Sequence, residues 1–188
     1  RTGEMKALNA SGRSGENATI EFYRRKGLER IPARGYLSAN TVPGAVAGWD
    51  AAYRYGKQAM GSGVSWARLL DSAIDYAQHG HAVTPSLHKW SCLNVADDDQ
   101  EFRRLQRFAG FRDCYLKTDG SPYEVGEVMR QPQLAATLRL IAGDGAAAFY
   151  EGEIAQRIVA DLQENGGVLT LDDFLAHRAD WIEPLKVA

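Results

Sequence analysis

Glycine punctuates this chain more than any other residue constrains it. Apolar residues recur at helical spacing in one stretch after another, and the stretches run into Gly27, Gly56, Gly80, Gly143 or the pair Gly166-Gly167. Glycine adopts left-handed backbone at little steric cost, so it ends helices where other residues would be strained. The pattern predicts short helices over roughly half of the chain and very little strand.

The clearest helix follows Ser65. Trp66, Leu69, Leu70, Ala73, Ile74 and Ala77 share one face, Arg68, Asp71 and Asp75 lie largely opposite, and Gly80 closes the run. Asn17 is expected to cap a helix to about Lys26, and Pro43 to open one that Gly56 stops, because an unbonded first-turn position tolerates proline. Thr84-Pro85 begins another to about Leu93, and Asp97 to Phe108 reads as a charged helix with Phe102, Leu105 and Phe108 inward. Gln131-Pro132 leads into a helix ending at Gly143, and Glu151-Gly152 into one ending at Gly166-Gly167. Thr170 caps a short helix whose first turn carries Asp172 and Asp173, favoured there by the partial positive charge of the helix start. Between Gly110 and Met129 turn residues dominate, with Asp119-Gly120 a hairpin turn and at most short strands. Gly44 and Gly48, four apart, form a smooth stripe that another backbone can approach closely. Trp49, Trp66, Trp90 and Trp181 sit within apolar patterns and are predicted to pack in a core.

At 188 residues and 45% hydrophobic content the chain can bury one sizeable core. A net charge of -2 with scattered basic residues gives no pull toward nucleic acid or an anionic membrane, and no apolar run reaches the roughly 18 to 20 residues of a membrane span. Cys92 and Cys114 are too few for a disulfide scaffold. His79, His81 and His88 lack the further ligands of a zinc site, the acidic run Asp97 to Asp99 reads as a solvated helix start, and no phosphate-binding loop or dinucleotide fingerprint is present. No metal and no cofactor is therefore expected. One loop stands out: Asn9 to Gly15 presents Arg13 on a glycine-flanked backbone, where a guanidinium can grip a carboxylate through two parallel hydrogen bonds; a solvated surface arginine is the competing reading. The lack of an initiator methionine and the terminal run Glu183-Pro184-Leu185-Lys186-Val187-Ala188, which reads as the beginning of a strand, suggest a piece of a larger polypeptide.

Several strings occur in a telling order. They are Val42-Pro43-Gly44-Ala45-Val46-Ala47-Gly48-Trp49, Tyr55-Gly56, Leu69-Leu70 with Ala73-Ile74-Asp75-Tyr76-Ala77, Gln131-Pro132-Gln133-Leu134-Ala135-Ala136-Thr137-Leu138, Phe149-Tyr150-Glu151-Gly152-Glu153-Ile154-Ala155 and Gly166-Gly167-Val168-Leu169-Thr170-Leu171-Asp172-Asp173-Phe174. Together, from about Ala7 to Leu185, the chain resembles the large subunit of the gamma-glutamyltranspeptidase family. The resemblance implies an α+β fold, a mostly helical segment of the large subunit of a four-layer αββα N-terminal-nucleophile hydrolase sandwich. On that basis residues 1–188 form one segment, with 1–15 a substrate-side loop, 16–180 a helical region and 181–188 the start of a strand.

The resemblance also implies a precursor that cuts itself, exposing a threonine at the start of a small subunit downstream of Ala188. No catalytic residue is then expected in this chain, which would be inactive alone, and Thr170 is only a cap. The threonine hydroxyl would attack an amide with its own amine as base, giving an acyl-threonine that water or an amino acid resolves. The implied partners are that small subunit and a small gamma-glutamyl or related amide; export to the periplasm or beyond is the implied address. In the family a loop arginine binds the α-carboxylate of the glutamyl donor. A gapless match anchored on Ala7-Leu8 and Ala18-Thr19 puts Ser11 at that position, with Arg13 two residues on. Either Arg13 reaches the same carboxylate, or the pocket takes another acyl group, as in cephalosporin-acylase-like members. A helical interaction module without catalysis is the rival from another class.

Overall fold

The computed structural model describes residue 3, residues 5–95 and residues 105–185. In chain order it contains β1 (Ala7–Asn9), α1 (Ile20–Arg25), α2 (Ala45–Met60), α3 (Trp66–His79), β2 (His81–Ala82), α4 (Pro85–Val95), a 3-10 turn (Leu105–Arg107), α5 (Ala109–Tyr115), β3 (Val128–Met129), α6 (Pro132–Asp144), α7 (Ala147–Tyr150), α8 (Glu153–Glu164), α9 (Leu171–Ala176) and β4 (Asp180–Ile182). The expected charged helix from Asp97 lies mostly outside the described residues.

Where a polar side chain can satisfy free helix-start amides, the elements begin as expected. Ser65 accepts from Arg68 N and starts α3, which ends at Gly80 with φ at 99°. Thr84 Oγ1 accepts from Leu87 N at 3.2 Å ahead of α4. At α9, Thr170 and Asp173 cap each other's backbone amides reciprocally. At α1 the cap is Thr19 rather than Asn17, because residues 15–18 already form a turn in which Ala18 N donates to Gly15 O.

Two glycines expected to stop helices do not. Helix α2 runs through Gly56 to the left-handed Gly61 at φ 64°, and α6 runs through Gly143 to Gly145 at φ 73°. A glycine inside a helix costs only about 1 kcal/mol, which the packing of the helix face outweighs. Pro43 lies one residue before the Gly44 cap of α2 rather than at its first helical position. The segment after Gly110, read as loop, holds α5, stabilised by the stacked rings of Phe111 and Tyr115 at 5.3 Å. Beyond it Asp119-Gly120 does turn the chain, with Gly120 at φ 83° and Asp119 accepting from Ser121 N and Oγ at 2.9 and 2.6 Å.

Helices α3 and α6 lie along one another, and α7, α8 and α9 close over the same core. Its largest wholly buried side chains are Phe174, Ile141 and Leu169, joined by Val42, Val46, Leu70, Tyr150, Ile154 and Leu162. Each such side chain contributes about 1.5–3 kcal/mol through removal from water. Trp66 packs at the edge of this core and donates from its indole to Ile141 O at 2.7 Å. The other tryptophans do not pack as expected: Trp49, Trp90 and Trp181 are 46%, 58% and 45% exposed. On α3, Leu69 and Ala73 also face outward, so the buried face is the narrower stripe of Leu70, Ile74 and Ala77. Strands β1 and β4 pair antiparallel, Leu8 opposite Trp181 and Asn9 opposite Asp180, while β2 pairs with β3. Among the described residues no helix is long and apolar enough to cross a membrane.

Candidate functional site

The loop from Asn9 to Gly15 leaves β1 and is pressed against the start of α2. The glycine stripe makes this possible. A methyl at Gly44 would fall on the carbonyl oxygen of Ala10, one at Gly12 on that of Val42, and one at Gly48 would lie 2.7 Å from Ala10 Cβ. Backbone bonds fix the rest: Val42 N donates to Arg13 O at 3.0 Å and Gly15 N to Asn40 O at 2.9 Å. Asp173 spans the far end, accepting from Glu16 N at 2.8 Å.

Arg13, exposed on this loop, donates from Nη2 to Asp180 Oδ2 at 3.0 Å, across 167 positions of sequence. The register of β1 against β4 places Asp180 there. Ser11, also exposed, donates from its backbone to Asn9 Oδ1 at 2.9 Å, one turn of loop before Arg13. As a surface ion pair, Arg13–Asp180 adds only about 0–1 kcal/mol, so Arg13 can exchange this carboxylate for another at little cost.

Beneath lies His177, which no motif indicated. It is 3% exposed and neither ring nitrogen has a hydrogen-bond partner. Burial holds its imidazole below the ordinary value; Arg13 and Arg178 push the same way, while Asp180 opposes them. A buried donor or acceptor left unpaired costs about 1–3 kcal/mol. The one cue in sequence is the run His177-Arg178-Ala179-Asp180, three titratable residues in four, directly after a capped helix. The Tyr150 ring packs against His177 at a tilt of 34° with centroids 5.4 Å apart, and its hydroxyl donates to Pro43 O at 2.7 Å and accepts from Ala47 N at 3.0 Å. Burial raises the Tyr150 phenol, so it remains a donor. A cleft of about 480 Å³ opens beside these rings, lined by Asp50, Arg54, Tyr55, Glu151, His177 and Trp181 among others.

The remaining histidines lie elsewhere. His79 pairs with Asp75 at 2.7 Å, and His88 Nδ1 bonds Tyr123 O at 2.8 Å with Cys92 Sγ 3.5 Å from its Nε2. Among the described residues no three metal-ligating groups converge, and Cys92 and Cys114 are both free.

The sequence profile of the gamma-glutamyltranspeptidase family matches residues 1–188. The glutathione hydrolase-like YwrD proenzyme of Bacillus subtilis is 41% identical over 186 residues, covering 98% of this chain and 32% of that protein. The oxamate amidohydrolase proenzyme of Klebsiella pneumoniae is 38% identical over 185 residues, covering 98% of this chain and 33% of that protein. The cephalosporin acylase of Bacillus halodurans superposes with a TM-score of 0.83 at 33% identity, over 100% of this chain and 34% of that one. The chain thus spans about a third of the length of these relatives.

Proposed function

This chain belongs to the gamma-glutamyltranspeptidase family, and from that premise we propose that it forms the helical scaffold and one wall of the substrate pocket of an amide-hydrolysing or acyl-transferring enzyme. Its relatives are enzymes, and its fold is α+β, a mostly helical piece of the N-terminal-nucleophile hydrolase type. The substrate is a small amide bearing a carboxylate, of the gamma-glutamyl kind or a related one. The nucleophile is a threonine freed by cleavage downstream of Ala188. Its hydroxyl oxygen bonds to the amide carbon, its amine takes the hydroxyl proton, and the C–N bond breaks as that proton passes to the leaving amine. Water or an acceptor amine then resolves the acyl-threonine.

This chain's part is to hold the carboxylate with Arg13. The observation that carries the assignment is that Arg13 already grips a carboxylate, that of Asp180 at 3.0 Å, from a loop whose backbone is fixed against α2. Glutathione and oxamate, the compounds named for the two relatives, both carry a carboxylate. The acylase alternative within the family draws support from Ser11, which stands where the resemblance expects an arginine, and from the likeness to a cephalosporin acylase.

The test uses the complete protein. Subunit masses should show one cleavage, with threonine as the new N-terminal residue, and hydrolysis of a chromogenic gamma-glutamyl anilide or of oxamate should be measurable. Arg13→Ala should raise KM at least about tenfold on whichever of the two is cleaved. An unchanged KM ends the carboxylate assignment, and activity on neither compound moves the protein to the acylase branch. Full activity in the uncleaved precursor would rule out the threonine mechanism.

A further inference from the structure

This inference rests on the reading of Arg13 as a carboxylate ligand. His177 is buried with both ring nitrogens unpaired, and Ala10 of the loop that carries Arg13 meets the same Gly44 that the ring does. Gly44 brings the two within reach. A methyl at Gly44 would overlap the Ala10 carbonyl oxygen and lie 3.1 Å from His177 Nε2, so ring and carbonyl crowd the same side of Gly44, yet no hydrogen bond joins them. The charged groups acting on the ring are Arg13 and Arg178 on one side of the balance and Asp180 on the other. A neutral imidazole there offers one N–H and one lone pair. An apolar side chain would bury no unpaired atom, so stability alone does not account for a histidine at this place.

We propose that His177 is a positioning residue for Arg13. When an incoming carboxylate draws Arg13 away from Asp180, the Ala10 peptide turns in its place against Gly44 and its carbonyl accepts from His177 Nε2–H. That bond fixes the backbone three residues ahead of Arg13 in the ligand-bound arrangement. A bond made in the bound state and absent in the free one strengthens binding, and the exposed Arg13–Asp180 pair given up on the way offsets little of it.

The experiment uses the complete enzyme, with steady-state kinetics on whichever of the gamma-glutamyl anilide or oxamate it cleaves, and with thermal midpoints measured without substrate. His177→Leu should raise KM about tenfold, leave kcat within about twofold, and not lower the midpoint. His177→Gln, whose amide can still donate to Ala10, should stay within about threefold of the parent KM. Arg13→Ala combined with His177→Leu should have no higher KM than Arg13→Ala alone, since both act through one contact. Should His177→Leu not fold, His177→Asn, polar but too short to reach Ala10, carries the same expectation for KM. A raised KM in Arg13→Ala beside an unchanged KM in His177→Leu or His177→Asn overturns the His177 assignment and leaves the carboxylate reading standing. An unchanged KM in Arg13→Ala sinks that reading and this inference together. A lowered midpoint with kcat and KM of the folded fraction unaltered would make His177 a packing residue and nothing more.

Discussion

Helix α2 and the turn before it serve two neighbours on opposite terms. Val42 and Val46 enter the apolar core, where their side chains fill space beside Leu70, Ile141 and Phe174. Gly44 and Gly48, offset by two residues and with the same spacing of four, face the Arg13 loop, where the lack of a side chain lets Ala10 in, its carbonyl at Gly44 and its Cβ at Gly48. The core is held by what occupies it, and close packing makes any deletion costly. The loop is held by what is left out, so an added atom is the damaging change there. Stability therefore resides on one side of this segment and the geometry of the proposed site on the other.

Four measurements on the complete protein would break or sharpen that contrast. The largest effect is expected in the core: Phe174→Ala removes a wholly buried ring and should lower stability by about 3–5 kcal/mol in a denaturant titration. Gly44→Ala should do the reverse, with a smaller loss of stability and a fall in kcat/KM of about a hundredfold, because the loop must move by the width of a methyl group. If Gly44→Ala is active and merely unstable, the two sides do not differ as described. Tyr150→Phe touches both sides, since it removes the hydroxyl joined to Pro43 O and Ala47 N; it should cost about 1–3 kcal/mol and raise KM as well.

The smallest effect is a pH dependence. The unfolded imidazole of His177 titrates near 6.5 and the folded one below it. The folded state therefore binds fewer protons in that interval, and the contribution of His177 to stability should be level above pH 6.5 and fall as the pH drops from 6.5 toward the lower folded value. The slope cannot exceed about 1.4 kcal/mol per pH unit for one group, and it should vanish in His177→Leu. A slope that survives the substitution would belong to other groups.

Much of the scaffold was legible where one residue carries a local physical instruction. Ser65 and Thr170 each start a helix as expected, Gly80 and Gly120 take the left-hand side of backbone space where a stop or a turn was expected, and the Gly44–Gly48 stripe does admit another backbone. Legibility failed where tertiary packing decides. Gly56 and Gly143 look like Gly80 in sequence, but neighbours keep their helices going to Gly61 and Gly145. Helices α5 and α7, of seven and four residues, are too short for a periodic pattern to emerge. Trp49, Trp90 and Trp181 match apolar patterns yet stay largely exposed, because a pattern reports a face and not whether something covers it. For the site, Arg13 and its loop could be singled out from sequence, whereas Asp180 reaches the loop only through the pairing of β1 with β4 and His177 only through the packing of the end of α9 against Tyr150 and Gly44.

That pairing also has a kinetic side. Among the described residues it ties the first strand to the last, and the Arg13–Asp180 contact spans 167 positions, so its closure costs less entropy once the intervening helices are ordered. Contacts local in sequence are expected to form before one of such separation, which puts the Arg13–Asp180 corner late in assembly. A chain delayed or misrouted at any intermediate stage would carry ordered helices and an unformed corner, which makes the site itself the reporter of completed folding.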